Sequence, residues 1–354
     1  MKTKRIQNYL PLACLMLLVS CFSGWAENLE SLKKKEINQS FNVSLRDQLS
    51  VDNKYGSITV AHWDKNEVEI RVVIESKASS DRLAQEGLDR VSINMGKSGS
   101  IISAATLIRN NYTGSNSSLT IRYFITMPSK LATTLSQQYG DINLPEKNQG
   151  KCSIEVRYGN LRAGSFSEDL SIDAKYSNIT LADAVEVRID AAYCGNINLN
   201  NVDVMAIDCR YSNLRLRDAG RLSIDNRYGS IKAENVNNLS IESRYGSANI
   251  EYVKESIRAS TLDYGSLTVN RLDAAFKSVD AAARYGTLKL KVPSQASFRI
   301  SAGAMKYGNL KIKGLTITNS ATENNNHSYQ INGGGSASIR FDGNNYSSFE
   351  ISAL

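Results

Sequence analysis

The chain has 354 residues, with 42 Lys and Arg against 35 Asp and Glu, which gives a formal net charge of +7. Apolar residues make up 42%, and there are 23 glycines but only four prolines, so this composition is that of a folded chain rather than a disordered or collagen-like one. The basic excess is small for this length. It argues against a nucleic-acid partner and indicates a solvated surface of mixed charge.

The N-terminus has the features of an export signal covering residues 1–26. Three basic residues stand among the first five, and an apolar run extends from Leu10 to Phe22. This run is shorter than the roughly 20 residues that a membrane-spanning helix needs. Two processing routes stay open, namely cleavage after Gly24-Trp25-Ala26 or lipidation of Cys21 at the lipobox-like Leu18-Val19-Ser20-Cys21. Either route predicts export to the periplasm, outer membrane or cell surface, with membrane contact only through a lipid on Cys21.

Three cysteines remain beyond this signal, namely Cys152, Cys194 and Cys209. They form no Cys-x-x-Cys motif and no Cys/His cluster, so the sequence predicts neither a zinc site nor a disulfide framework. One disulfide pair stays open in an oxidising compartment, and so does a reactive role for Cys194, but buried structural thiols are favoured. No cofactor or metal is predicted.

The dominant feature is an internal repeat centred on a tyrosine followed by a small residue. Ten copies recur at steps of 17 to 22 residues, and an eleventh stands apart at Tyr55. The ten are Tyr139, Tyr158, Tyr176, Tyr193, Tyr211, Tyr228, Tyr245, Tyr264, Tyr285 and Tyr307. Each unit has two runs of period two separated by Gly, Ser or Asn, which indicates a strand, a turn and a second strand.

One face of the strand before each tyrosine is apolar. Four residues before the tyrosine stand Ile154, Ile172, Ile189, Ile207, Ile224 and Ile241. Six residues before it stand Cys152, Leu170, Val187, Met205, Leu222 and Leu239, and two before it the residue is mostly small or apolar. Because side chains alternate along a strand, these positions and the tyrosine itself are predicted to point inward together.

The opposite face carries a row of acids and a row of bases. The acids are Glu155, Asp173, Asp190, Asp208, Asp225 and Glu242, three residues before the tyrosine. The bases are Arg157, Lys175, Arg210, Arg227 and Arg244, one residue before it, with Ala192 as the gap. The acids could serve catalysis or calcium binding. Surface ion pairing is the favoured interpretation, because stacked like charges repel unless they are neutralised.

A period of 17–22 residues is too short for a strand–helix–strand crossover, so each unit can bury its apolar face only against the next unit. The sequence therefore predicts an all-β protein, a single-stranded right-handed parallel β-helix (β-solenoid) of about ten coils of 17–22 residues. The glycine after most tyrosines fits a tight corner. Cys194-Gly195 adds one residue at its corner and predicts a bulge or a wider corner there.

Three regions follow from this interpretation. Residues 27–130 form an N-terminal cap with the first irregular coils, 131–314 the repeat solenoid and 315–354 the closing coils. The cap should contain one short helix, from Ser79 to about Arg90 with Ser80 as its N-cap, followed by strands over 91–108 and 118–127 and a polar loop at 110–117 between them.

Several motifs resemble one bacterial family. They are Lys54-Tyr55-Gly56-Ser57-Ile58-Thr59-Val60 leading into Trp63-Asp64-Lys65-Asn66-Glu67-Val68, Tyr139-Gly140-Asp141-Ile142-Asn143-Leu144, and Cys194-Gly195-Asn196-Ile197-Asn198-Leu199. The sequence resembles the adhesins of the head-GIN-domain type found in Bacteroidetes envelopes. This resemblance implies an exported β-solenoid and carries over no catalytic residues. Ser177 and Ser212 depart from the pattern at the glycine position.

Two function classes compete. A binding or structural protein, with an unknown glycan or an envelope or surface protein as partner, is favoured because the acids obey the repeat. The alternative is a carbohydrate-active β-helix enzyme, which needs carboxylates that break the repeat and converge in a cleft. The only two histidines, His62 and His327, fall at a strand end and in a polar loop, where surface positions are favoured over catalysis. No catalytic residue is assigned, and the binding residues stay unknown.

Overall fold

The computed structural model describes residues 30–109, 117–303 and 305–354, which form 28 strands and one helix. The predicted signal segment, with Cys21, lies outside the described residues, and so does most of the polar loop at 110–117. All 28 strands are hydrogen-bonded into one continuous sheet. Within these ranges no helix has the length and apolar character needed to span a bilayer.

The N-terminal region surrounds one strand that already belongs to the solenoid. Its elements are β1 (Ser31–Asn42), β2 (Gln48–Trp63), β3 (Glu67–Ala78), α1 (Asp81–Asp89), β4 (Val91–Ser98), β5 (Ile101–Ile108), β6 (Ser117–Pro128) and β7 (Ala132–Asn143). Strand β2 pairs in parallel with β7 on one side and with β5 and β6 on the other, so it forms the first rung of the stack. Strands β1, β3 and β6 pair antiparallel and close that end.

Helix α1 lies where the sequence places it. Its N-cap is Ser80, whose hydroxyl accepts a hydrogen bond from Leu83 N at 3.4 Å, and its buried residues pack toward β1 and β3. Capping of this kind satisfies one of the N–H groups that the first helical turn leaves without a partner. The predicted cap helix is therefore observed, and only Ser79 and Ser80 separate it from the end of β3.

The middle of the chain is a parallel stack. Its strands are β8 (Lys147–Asn148), β9 (Cys152–Arg157), β10 (Asn160–Ala163), β11 (Ser165–Phe166), β12 (Leu170–Lys175), β13 (Asn178–Leu181), β14 (Ala184–Ala192), β15 (Ile197–Arg210), β16 (Asn213–Arg227), β17 (Ser230–Arg244), β18 (Ser247–Asp263), β19 (Ser266–Leu272), β20 (Ser278–Arg284) and β21 (Thr287–Val292). Each pairs in parallel with the equivalent strand of the next coil. The chain is thus a parallel β-solenoid.

The core is the predicted set of ladders. Ile207, Ile224 and Ile241 are direct partners in three successive coils. All six isoleucines of this column are at most 4% exposed, and the column six residues before the tyrosines is buried as well. Burial of an aliphatic side chain contributes about 1.5–3 kcal/mol, so this repeated column is a main source of stability.

The C-terminal coil does not lie last in space. The remaining strands are β22 (Phe298–Ala302), β23 (Met305–Lys306), β24 (Asn309–Lys313), β25 (Ile317–Glu323), β26 (Asn326–Ile331), β27 (Ala337–Asn345) and β28 (Ser348–Ala353). Strands β27 and β28 pair with β20 and β21 on one side and with β22 to β24 on the other. The final coil is therefore inserted between the two coils that precede it in sequence. The antiparallel hairpin β25–β26 packs against β22.

Candidate functional site

The most regular surface feature is a tyrosine ladder that runs along one corner of the solenoid. Adjacent rings are stacked, with centroids 4.8–5.3 Å apart and interplanar angles of 2–16°. Eleven such steps, at the ~4.8 Å spacing of paired strands, extend on the order of 50 Å. In spatial order the ladder comprises Tyr55, Tyr139, Tyr158, Tyr176, Tyr193, Tyr211, Tyr228, Tyr245, Tyr264, Tyr285, Tyr346 and Tyr307.

Every ladder tyrosine has left-handed backbone geometry. Their φ angles lie between 51° and 63°, a region that costs an L-residue roughly 1–2 kcal/mol. The corner is held by hydrogen bonds between coils. For example, Tyr211 N donates to Arg227 O at 2.9 Å, and Tyr228 N donates to Arg244 O at 3.1 Å. Stacking of aromatic rings contributes about 0.5–1.5 kcal/mol per pair and offsets the backbone strain.

The prediction that the tyrosines point inward is wrong. Tyr228 is 51% exposed, and the terminal ring of Tyr307 is 69% exposed. The alternation of a strand holds only while the backbone stays extended, and the left-handed residue ends it at the corner. Because neighbouring rings cover each other's faces, the ladder presents ring edges to solvent rather than open aromatic faces.

The interior of the corner is filled from either of two positions. In the Tyr228 coil, Asn226 fills it from two residues before the tyrosine, and the following residue is Gly229. In the Tyr211 coil the small Cys209 stands before the tyrosine, and the buried Ser212 after it donates to Arg210 O at 2.9 Å. The second arrangement occurs in three consecutive coils, where the buried residue after the tyrosine is Ser177, Cys194 or Ser212. This explains the two serines that depart from the glycine pattern.

The Tyr193 corner contains the additional residue that the sequence places there. Ile197 still pairs with its equivalents in both neighbouring coils, Ile179 and Leu214, so the insertion is absorbed within the corner. Cys194 occupies the interior position, and its Sγ lies 3.4 Å from Ala174 O.

The three cysteines are free and buried. Burial raises the pKa of Cys152 and of Cys209 to about 12, and it also raises the pKa of Cys194. Since the thiolate is the reactive form, these thiols are poor nucleophiles. This favours the structural interpretation of all three, including Cys194.

The rows of acids and bases beside the ladder form ion pairs. Arg227 Nη2 lies 2.8 Å from Asp225 Oδ2, and Arg210 Nη2 lies 2.7 Å from Asp190 Oδ1 of the preceding coil. Other pairs in these rows are Arg157–Glu155, Lys175–Asp173, Arg210–Asp208 and Arg244–Glu242. Beyond them, Arg284 pairs with Asp263, which stands one residue before its own tyrosine. The acids of the repeat are thus held by neighbouring cations, in agreement with the sequence-based preference for pairing.

A polar groove crosses the strands that follow the ladder corner in four successive coils. Its volume is about 530 Å³. One column of its lining comprises Asn198, Arg215, Lys232 and Asn249, which are direct partners across β15 to β18. The second column, two residues further along each strand, comprises Asn200, Arg217, Glu234 and Glu251. Sequence analysis missed this groove, although both columns occupy outward positions of the repeat.

The two histidines lie apart from this groove. His62 is half-buried in β2, and burial lowers its pKa despite a backbone hydrogen bond at Lys147. His327 lies in the β26 strand, with Nδ1 3.1 Å from Thr322 Oγ1. In the described part of the chain, no group of three or more His, Cys, Asp or Glu side chains is arranged to hold a metal ion.

The fold and its ladder define a β-solenoid protein. Residues 38–345 match the model of the Toastrack DUF4097 family, and the chain belongs to this family. The resemblance noted from the sequence motifs is confirmed at the level of the family. A search of functionally curated proteins found no match.

Three solved structures show a general similarity. A putative cell adhesion protein from Clostridium sporogenes is 10% identical, with 91% of this chain and 100% of that chain covered and a TM-score of 0.20. A putative adhesin from Parabacteroides merdae is 10% identical, with 90% and 96% covered and a TM-score of 0.33. A putative lipid binding protein from Parabacteroides distasonis is 12% identical, with 90% and 96% covered and a TM-score of 0.27.

Proposed function

We propose that the protein is an exported envelope or cell-surface β-solenoid that does not catalyse a reaction. Its lateral face, parallel to the solenoid axis, binds a glycan or a surface protein. It acts in the manner of an adhesin. The coils wind in the right-handed sense, about ten of them form the repeat, and the mature chain follows removal of residues 1–26 or lipidation at Cys21.

The polar groove is the observation that carries this proposal. It lies on a stack of paired strands, so its side chains are held by a rigid backbone at the ~4.8 Å spacing of neighbouring coils. Arg215, Lys232 and Asn249 occupy equivalent positions on successive coils, and each presents hydrogen-bonding groups to the groove. A surface of this kind is preorganised for an elongated partner, which lowers the entropic cost of binding.

The enzyme alternative receives less support from the geometry. Glycoside hydrolysis needs two carboxyl groups that face each other across the scissile bond. The acids of the repeat instead follow the coils as a column, and Asp225 and Asp190 each accept a direct bond from an arginine.

Binding and turnover can be separated in one experiment. The purified chain without residues 1–26 is incubated with intact envelope preparations and with a panel of acidic and neutral polysaccharides. We expect saturable retention on at least one of these surfaces and no new reducing ends or unsaturated products. Clear turnover would establish the enzyme alternative, and absence of binding to every surface would contradict the proposal. Mass spectrometry of the N-terminus of the native protein distinguishes cleavage from lipidation at Cys21.

A further inference from the structure

We propose that the polar groove is a binding site for an acidic oligosaccharide, whose carboxylate lies between Arg215 and Lys232. This proposal rests on the proposed function and specifies its ligand and its site.

The two cations are adjacent rungs of one column. Arg215 and Lys232 are direct partners in the parallel pairing of β16 with β17, so their side chains leave the sheet side by side. Arg215 uses one N–H group, Nη1, to bond Asn196 Oδ1 at 2.9 Å. A guanidinium has five such groups, and the others stay available to a ligand. An arginine and a lysine at this spacing suit a single carboxylate, which accepts charge-assisted hydrogen bonds from both.

Lys232 has no partner of its own within the described part of the chain. Its exposed ammonium group makes no ion pair or hydrogen bond there, whereas most bases beside the tyrosine ladder are paired. An unpaired lysine on a surface is ordinary by itself. Here it lines a groove beside Arg215, with amide side chains on the coils above and below.

The rest of the groove favours hydroxyl groups over apolar ones. Asn198 and Asn249 flank the two cations in the same column, and an amide can both donate to and accept from a sugar hydroxyl. The apolar residues of these strands, Leu199 and Leu216, are only 4% and 3% exposed. Protein interfaces typically centre on aromatic or arginine anchors seated in fully desolvated pockets, whereas this groove is open and no aromatic side chain lines it. A glycan is therefore the better fit.

The charges also set the order of units in the ligand. The second column passes from Arg217 to Glu234 and Glu251 on successive coils. These carboxylates accept hydrogen bonds from hydroxyls but repel a second anion. The ligand should therefore carry its acidic unit over Arg215 and Lys232 and a neutral unit over the two glutamates.

The test uses immobilised oligosaccharides that contain uronic acids, alone or alternating with neutral sugars, each beside its carboxyl-reduced counterpart. Binding of the chain without residues 1–26 is compared with that of the double variant Arg215→Gln/Lys232→Gln. The matched control is Lys289→Gln/Lys291→Gln, which removes two exposed positive charges from an equivalent strand outside the groove. Circular dichroism and thermal unfolding verify that all three proteins are folded.

We expect the native chain to bind acidic oligosaccharides and to prefer alternating ones. Carboxyl reduction or the groove variant should weaken binding roughly tenfold or more, which is the loss expected for one charge-assisted hydrogen-bonded contact. The control variant should bind within about twofold of the native chain, as a distant exposed charge would. Equal losses in both variants would show general electrostatic attraction and overturn the proposal.

Two further outcomes separate this proposal from the proposed function. If the native chain binds envelope preparations but no acidic oligosaccharide, or if the groove variant still binds normally, the proposed function stands and the groove assignment is wrong. Loss of envelope binding after protease treatment of the envelope would identify a protein partner and also overturn the assignment. If nothing is bound at all, both proposals fail.

Discussion

Asn226 and Gly229 share one interior corner, on either side of the exposed Tyr228. Asn226 Nδ2 donates to Gly229 O at 3.1 Å, and a Cβ atom added to Gly229 would lie 2.5 Å from Asn226 Oδ1. The glycine is therefore required by close approach rather than by its φ angle, because the left-handed residue is the tyrosine. One buried side chain fills the corner, and its position before or after the tyrosine depends on the coil.

Gly229→Ser should destabilise the chain by about 1–3 kcal/mol, because the corner already contains Asn226. Adding Asn226→Ala should recover part of this loss, since the pair then matches the small-residue-plus-serine arrangement of the preceding coil. Recovery stays partial because Ser212 O lies 2.4 Å from the added Cβ position. Urea unfolding of both single variants and the double variant measures the coupling free energy. Simple additivity would contradict the shared-corner interpretation.

Tyr211 tests the balance between ring stacking and backbone strain. Tyr211→Ala removes two stacked contacts but keeps a Cβ in the left-handed region, so we expect a cost of about 1–3 kcal/mol. Tyr211→Gly removes the same contacts and also the strain, which should make it about 1 kcal/mol less costly than the alanine variant. The measurement is the denaturation midpoint of the two variants. An alanine variant as stable as the glycine variant would show that the corner stores no strain.

Ile224 tests the inner face of the repeat. Ile224→Asp places an unpaired charge in a column that is only 3% exposed at this residue, and it should unfold several neighbouring coils. The matched control is Arg227→Ala on the outer face, which removes a half-exposed ion pair and should cost only about 0–1 kcal/mol. Thermal unfolding followed by circular dichroism compares them. Similar midpoints for the two variants would contradict the assignment of faces.

These faces could be read from the sequence because they depend only on strand alternation and on the repetition of like residues. The exposed position of Tyr228 could not be predicted in this way. Left-handed backbone geometry is usual for glycine or asparagine, so a tyrosine does not indicate it. The insertion of the Tyr346 coil depends on the path of residues 315–336, which contain the β25–β26 hairpin and lie outside the repeat. The groove around Arg215 depends on how the outward side chains of four coils are arranged relative to one another. Sequence periodicity shows which side chains point outward but not this arrangement. The number and handedness of the coils stay predictions.

Asp208 makes the stability of the folded chain depend on pH. Burial raises the pKa of Asp208 above its ordinary value, and Asp225 and Asp190 raise it further against the opposing effect of Arg210. Between the ordinary and the raised pKa, the folded chain holds a proton that the unfolded chain has lost. The free energy of unfolding therefore falls as the pH rises through this window.

Asp208→Asn should consequently increase stability at pH 7, and the gain should disappear at about pH 3, below the ordinary pKa of an aspartate. Its control is Asp190→Asn, which removes the negative charge from the 2.7 Å contact with Arg210 and should decrease stability at pH 7. Unfolding is measured for both variants at the two pH values. A loss of stability in Asp208→Asn that matches the control would show that the ion pair with Arg210 outweighs burial.

The inserted C-terminal coil separates two rows of lysines. Glu350 is the direct partner of Lys289 on one side and of Lys311 on the other, and it also bonds Lys313 Nζ at 2.7 Å. The hydrogen bond from Lys313, with the charges of Lys313, Lys289 and Lys311, lowers the pKa of Glu350. Without this coil, strand β24 could pair with β21 in the same register only by placing Lys311 directly opposite Lys289. Two like charges in direct opposition destabilise such a pairing.

A chain ending at Gly314 should therefore lose amide protection in Asn309–Lys313, while β16 to β18, which pair with one another, stay protected. Adding Lys289→Glu to the shortened chain places a negative charge against Lys311, so amide protection of Asn309–Lys313 should return in part. Hydrogen exchange followed by mass spectrometry reports both regions in one experiment. Full protection in the shortened chain without the second change would mean that β24 pairs with β21 despite the lysines, and the role of Glu350 as the separating charge would be wrong.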